Sequence, residues 1–241
     1  MEKMIVMSEA YKQTSAATAE QWQRDPENRL ISRGPRVRLP AAFVRDQALA
    51  ISGLLVNKTG GPSVKPYQPP GLWQELSGGT YREDKGEGLF RRSLYTYWKR
   101  TVAPPTLVTF DATTRESCVV NRSRTNTPLQ ALVLMNDVTF VEAARVMAQN
   151  ELKQSADSIE ERVGRLFRLV TAREPARHEL EVLCNRYRRN LELYRERPES
   201  ALQLSRSGEY PVDESLNPSE LAALTTVTSV LLNLDEVITK E

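Results

Sequence analysis

Histidine, cysteine and long apolar runs are scarce in this 241-residue chain. His178 is the one histidine. It stands among Arg177, Glu179 and Glu181 on a polar helical stretch and reads as a solvated side chain. A single histidine argues against Ser-His-Asp chemistry and against multi-His metal sites. Cys118 and Cys184 are the two cysteines, and they form neither CxxC nor CxxCH. No zinc knuckle and no covalent haem attachment is therefore encoded in this sequence. They read as two separate buried thiols, with a disulfide between them left open for an exported protein. No apolar run approaches the roughly 18–20 residues that a membrane span needs. The opening MEKMIVMSEAYK lacks the pattern of a signal peptide, because Glu2 stands where a basic region belongs and the apolar stretch is too short. On these residues alone the chain reads as cytoplasmic.

An excess of charge of one sign is missing too. The 33 basic and 31 acidic residues leave a formal net charge of +2. That balance argues against nucleic-acid or membrane-surface binding driven by bulk charge. The sequence carries no glycine-rich phosphate loop, no βαβ alternation, no heptad array and no internal repeat beyond two similar helix caps.

Helical spacing dominates what is present. Met1, Met4, Ile5, Ser8 and Tyr11 predict a short amphipathic helix. Five arginines (Arg24, Arg29, Arg33, Arg36 and Arg38) then surround Pro26, Gly34 and Pro35 in a loop suited to meet carboxylates or an anionic ligand. Pro40 fits the first turn of a helix that buries Phe43, Ala48, Leu49, Ile51, Leu54 and Leu55, with Arg45 projecting elsewhere. From 57 to 88 the chain is rich in glycine and proline. Tyr67, Trp73 and Tyr81 mark this stretch as an ordered loop rather than a linker. Residues 89–105 are dense in aromatics and arginine and fit a strand or a helix turn equally.

Thr127, Pro128 and Gln130 predict a capping box opening a helix. Leu129, Leu132, Val133, Phe140, Ala143, Ala144 and Met147 would supply its apolar stripe. Further helices are expected over 159–170, from Pro175 to Pro198, and after the Asn217 cap with Glu220 at its third position. The fold class is mainly α: an irregular helical domain with long ordered Gly/Pro-rich loops in the middle and a C-terminal helical bundle. We read one domain over 1–241, with N-terminal helices in 1–56, a loop-rich aromatic and arginine region in 57–126, and a helical region in 127–241.

Several long motifs occur in one order: GGPSVKPYQPPGLW, RRSLYTYWKR, TFDATTRESC, RSRTNTPLQALVLMND and the ending LLNLDEVITKE. MIVMSEAYKQTS and RDPENRLISRGPRVRLPAAFVRDQAL precede them. Together they resemble the C-terminal domain of unknown function of the planctomycete cytochrome-c proteins, over nearly the whole chain. The resemblance implies an exported, periplasmic or cell-envelope parent with a c-type haem domain and a second domain upstream. Haem c is then expected in that upstream domain and no cofactor in this chain. The chain reads as an N-terminally truncated copy of the family's domain.

Function is read less directly. Polar residues cluster in the motifs: Arg91, Arg92, Tyr95, Trp98, Lys99, Arg100, Asp111, Arg115, Glu116, Arg122, Arg124, Thr125, Asn126 and Gln130. The bland account is an internal network that ties long loops to helices, since buried polar groups must be paired. The first functional account is a non-catalytic structural or interaction module. Its binding residues would be Arg91, Arg92, Tyr95, Trp98, Arg100, Arg115, Arg122, Arg124 and Asn126. Guanidinium forks and aromatic faces there suit an anionic polysaccharide or the parent protein's upstream domains. The second account is a carbohydrate-active hydrolase with Asp111 and Glu116 as its catalytic pair. No metal site, no nucleic-acid partner and no membrane span is expected.

Overall fold

Helix dominates the computed structural model, which describes residues 1–155 and 158–240. Among the described residues the early helices are α1 (Glu2–Val6), α2 (Glu9–Lys12), α3 (Ala19–Arg24), α4 (Ala41–Ser52) and α5 (Leu72–Ser77). Next come α6 (Pro105–Thr109), α7 (Pro128–Asn136), α8 (Val138–Leu152) and α9 (Ile159–Thr171). The chain ends through α10 (Arg177–Glu196), α11 (Pro198–Ser205), α12 (Pro218–Leu232) and α13 (Asp235–Ile238). Strands β1 (Val37–Arg38) and β2 (Thr239–Lys240) form one antiparallel pair, with Val37 opposite Lys240 and Arg38 opposite Thr239. The mainly α expectation holds. The chain divides into two compact units, one from Met1 to Leu39 with the segment from Asp235 onward, the other from Pro40 to Leu234.

The smaller unit is held largely by its arginines. Arg33 is buried, donates to the Asp25 and Pro26 carbonyls at 2.8 and 2.9 Å, and stacks on Trp22 with its guanidinium carbon 3.9 Å from the ring centroid. Arg36 pairs with Asp235. Its opening differs from the single helix that periodicity predicts. Ser8 accepts from the Tyr11 N–H and starts a new helix, α2, so the run breaks into two pieces that bury nothing. Four or five residues are too few to sustain a helix without tertiary packing.

The larger unit is built on α8 and α12. Small residues let these two helices approach closely: Ala143, Ala144 and Ala148 on one, Ala222 and Ala223 on the other, all fully buried. Thr228 crosses the seam and donates to the Ala144 carbonyl at 2.8 Å. Helices α10 and α11 cover α12, while α4 packs on α8. Helix α9 buries Val163, Leu166, Phe167 and Val170, the face its 3.6-residue periodicity dictates. Asn217 caps α12 by accepting from the Ser219 and Glu220 N–H groups, as its sequence predicts.

Four local readings are corrected. The helix expected to run on from Thr127 is two helices meeting at Asp137, whose side chain accepts from the Thr139 N–H and so starts α8. The capping box is absent: Thr127 makes no side-chain cap bond, and Gln130 is turned inward with 1% exposure. A buried amide needs partners, and Gln130 Nε2 finds the Thr109 carbonyl at 3.0 Å and the Thr125 hydroxyl at 3.1 Å. Leu129 and Leu132 are exposed, whereas Leu134 is buried. In α4 the roles of two neighbours are exchanged: Phe43 is 62% exposed and Arg45 only 4%. Arg45 is tolerated there because it donates to the Leu89 and Arg91 carbonyls at 2.6 and 2.9 Å.

Candidate functional site

Arg91 and Tyr95 are consumed by the fold. Arg91 is buried and donates to the Lys58, Gly60 and Pro62 carbonyls at 2.9, 2.5 and 3.1 Å. Its guanidinium carbon lies 3.9 Å from the Tyr95 ring centroid, and the Tyr95 hydroxyl accepts from the Gly60 N–H at 2.8 Å. The pair therefore latches the glycine-rich turn at 58–62. Trp98 is held similarly, with its indole N–H on the Thr114 carbonyl at 3.0 Å and Arg115 stacked at 4.4 Å.

Asp111 sits at φ +63°, and both its carboxylate oxygens face Thr125. Glu116 is exposed. Arg92, Arg100, Arg122, Arg124 and Asn126 are exposed as well. Asn136 donates to the Leu132 carbonyl at 2.7 Å. The cysteines differ from each other: Cys184 is buried, Cys118 is exposed, and both are free.

A cleft of about 890 Å³ opens elsewhere in the same unit. One wall is the segment from Tyr67 to Glu83, and it includes Trp73, Gln74, Thr80 and Tyr81. Asn136, Asp137 and Val138 form a second wall at the junction of α7 and α8, and Gly208 with Glu209 a third. Asp111 and Glu116 do not line it. The sequence does carry a trace of this site in the aromatic density of 67–81. Glu209 joins from a remote segment, which no local pattern announces.

The aromatic wall is fixed by its own hydrogen bonds. Trp73 donates its indole N–H to Gln68 Oε1 at 2.8 Å, and its ring centroid lies 5.2 Å from that of Tyr81 at a tilt of 43°. Tyr81 donates to the Pro66 carbonyl at 2.6 Å. Burial pushes the Tyr81 phenol up from its ordinary range, helped by the nearby charges of Glu83 and Asp84. Asp137 is also committed, capping Thr139 through Oδ1 and accepting from the Thr106 hydroxyl at 2.5 Å through Oδ2.

Beneath the Gly208–Glu209 wall lies a fully buried pair on α8. Glu142 and Arg145 have no side-chain exposure, and their charged groups are 3.9 Å apart. Arg145 donates to the Ser207 and Tyr210 carbonyls at 2.9 and 2.6 Å. Glu142 Oε1 accepts from the Tyr210 N–H at 2.6 Å. Burial raises the Glu142 carboxyl above the usual range, against the opposing pull of the Tyr210 N–H, Tyr67 and Arg145. Tyr67, whose hydroxyl accepts from the Glu209 N–H at 2.9 Å, is raised by burial and then by the Glu142 charge. These contacts hold the third wall in place from below.

Among the described residues no group of three or more His, Cys, Asp or Glu side chains is gathered to hold a metal ion. Among them, too, no helix is long and apolar enough to cross a membrane.

The fold and site define a mainly helical domain with one wall of its cleft built from an aromatic-rich segment that includes α5. The chain belongs to the family described as "Protein of unknown function (DUF1553)", whose model matches residues 1–187. No curated protein and no solved structure matches it.

Proposed function

We propose that this chain is a non-catalytic interaction module whose ligand site is the aromatic-walled cleft, and that the ligand is a saccharide chain. The observation that carries this reading is the composition of the cleft. The half-buried Tyr67 and Tyr81 bring aromatic surface, backed by the buried Trp73, and Gln74, Thr80, Asn136, Glu83 and Glu209 bring amide, hydroxyl and carboxylate groups around it. Sugars present apolar C–H faces and hydroxyl edges, so they match walls of that mixed kind. A volume of about 890 Å³ falls within the usual range for small-ligand sites.

The parent protein, in this proposal, is an exported multidomain planctomycete protein of the periplasm or cell envelope. Its haem c would sit in an upstream domain, and that domain would be a partner of this one. The anionic-polysaccharide version of the reading draws its support from the exposed arginines Arg92, Arg100, Arg122 and Arg124. The cleft supports it less, because no lysine or arginine among the described residues lines it. The hydrolase alternative, with Asp111 and Glu116, has the weaker physical case, since the Asp111 oxygens are already engaged by Thr125.

Titration of the chain with neutral oligosaccharides, followed by calorimetry and ligand-observed NMR, tests the reading. Binding that is lost in Gln74→Ala and Tyr81→Ala, with folding retained, supports it. Equal binding by those variants, or release of shortened sugars by the wild-type chain, overturns it.

A further inference from the structure

The charge inside the cleft goes further than its shape. Two of its carboxylates, Glu83 and Glu209, are exposed at the surface of the cleft. Glu83 has one long contact, from the Gln68 N–H at 3.4 Å. The third carboxylate, Asp137, is tied to Thr106 and Thr139. Among the described residues no basic side chain offsets them within the lining. Arg82 adjoins Glu83 in sequence, and the Lys99 ammonium lies 4.8 Å from the Trp73 ring centroid, yet neither lines the cleft.

We infer that the cleft selects a saccharide bearing protonated amines over its neutral and anionic counterparts. This rests on the reading of the cleft as a saccharide site. Two carboxylates in a concave site with low-dielectric walls focus negative potential on whatever enters. Each ammonium group gains from the carboxylate it meets, and from the half-buried face of Tyr81 as it passes. A sulfate or uronate meets the same field with the opposite sign and finds no guanidinium fork to grip it.

The test uses the full chain and four probes at a pH that keeps amines protonated. The probes are a β-1,4-linked glucosamine oligomer, the same oligomer N-acetylated, a sulfated oligosaccharide of equal length, and an oligolysine peptide. Two exposed charge contacts should tighten the glucosamine oligomer about tenfold over the acetylated one, with the advantage shrinking as salt rises. In the Glu83→Gln/Glu209→Gln double variant the advantage should vanish, so that the two oligomers bind the variant with equal affinity. If the two oligomers bind the wild-type chain equally, the charge inference falls and the saccharide reading stands. If the oligolysine binds as tightly as the glucosamine oligomer, the site reads charge without sugar and the inference falls. If none of the saccharides binds, the saccharide reading falls and takes this inference with it.

Discussion

Thr125 grips Asp111 at two points. Its backbone N–H donates to Oδ2 at 2.6 Å, and its hydroxyl lies 3.0 Å from both carboxylate oxygens. The same hydroxyl accepts from Gln130 at 3.1 Å. Two residues of adjacent sequence motifs thus fasten the segment after α6 to the start of α7. Thr125→Val removes the hydroxyl and should cost about 1–2 kcal/mol in chemical denaturation, with no change in saccharide binding. A variant that loses binding while keeping its stability would instead place Thr125 in the ligand site.

The Arg91 latch makes a stronger demand. Arg91→Ala leaves three carbonyls and the Tyr95 ring without their partner, and should lower stability by about 2–4 kcal/mol. Arg91→Lys cannot span three carbonyls with a single ammonium and should recover little of it. Hydrogen exchange across 57–63 reports the unlatching directly: faster exchange there, with α8 and α12 unchanged, is the expected pattern.

Gly208 is fixed by two constraints at once. Its φ is +85°, and a Cβ built there would lie 2.2 Å from the Glu142 carboxyl carbon. Gly208→Ala should therefore destabilise by about 2–4 kcal/mol, through strain and displacement of the buried carboxylate. Thermal melts of the variant, compared with Glu209→Ala as an exposed neighbour, provide the check.

The start of α10 carries a pH dependence of definite sign. Glu179 is held down to about 2, chiefly by Arg173, whose two guanidinium nitrogens lie 2.7 and 2.8 Å from its oxygens, and further by the Ala176 N–H. Its folded value is below its unfolded one. The stability it contributes is present above the ordinary carboxylate range and is lost as pH falls toward about 2. Urea midpoints measured across this window should fall less steeply in Glu179→Gln than in the wild-type chain. Parallel curves would show that Glu179 contributes nothing.

Much of the fold is legible in the sequence where a pattern is local and repeated. The face of α9, the Asn217 cap and the helical class all follow from spacing and cap chemistry. What escaped depends on distant partners. Arg45 looks like a surface residue until the Leu89 and Arg91 carbonyls arrive from more than forty positions away. Gln130 completes a cap pattern on paper, yet the Thr109 carbonyl claims its amide. The arginine and aromatic motifs were conspicuous because the fold uses them, and Arg91 and Tyr95 spend their polar groups on backbone. The cleft left only its aromatics as a signal, since Glu209 reaches it through Tyr67 and the α8 pair beneath.

The dual duty of Asp137 has a consequence for how this cleft can change over time. One side of it is tied to the start of a core helix, so altering Asp137 also removes the cap that begins α8. Glu83 and Gln74 carry no such obligation. Gln74 stands on the outer face of α5 and Glu83 on the segment after it, both exposed, so each can be exchanged at small structural cost. Substitution can therefore retune what the cleft accepts at Gln74 and Glu83, while the side formed by Asp137 is constrained by the start of α8.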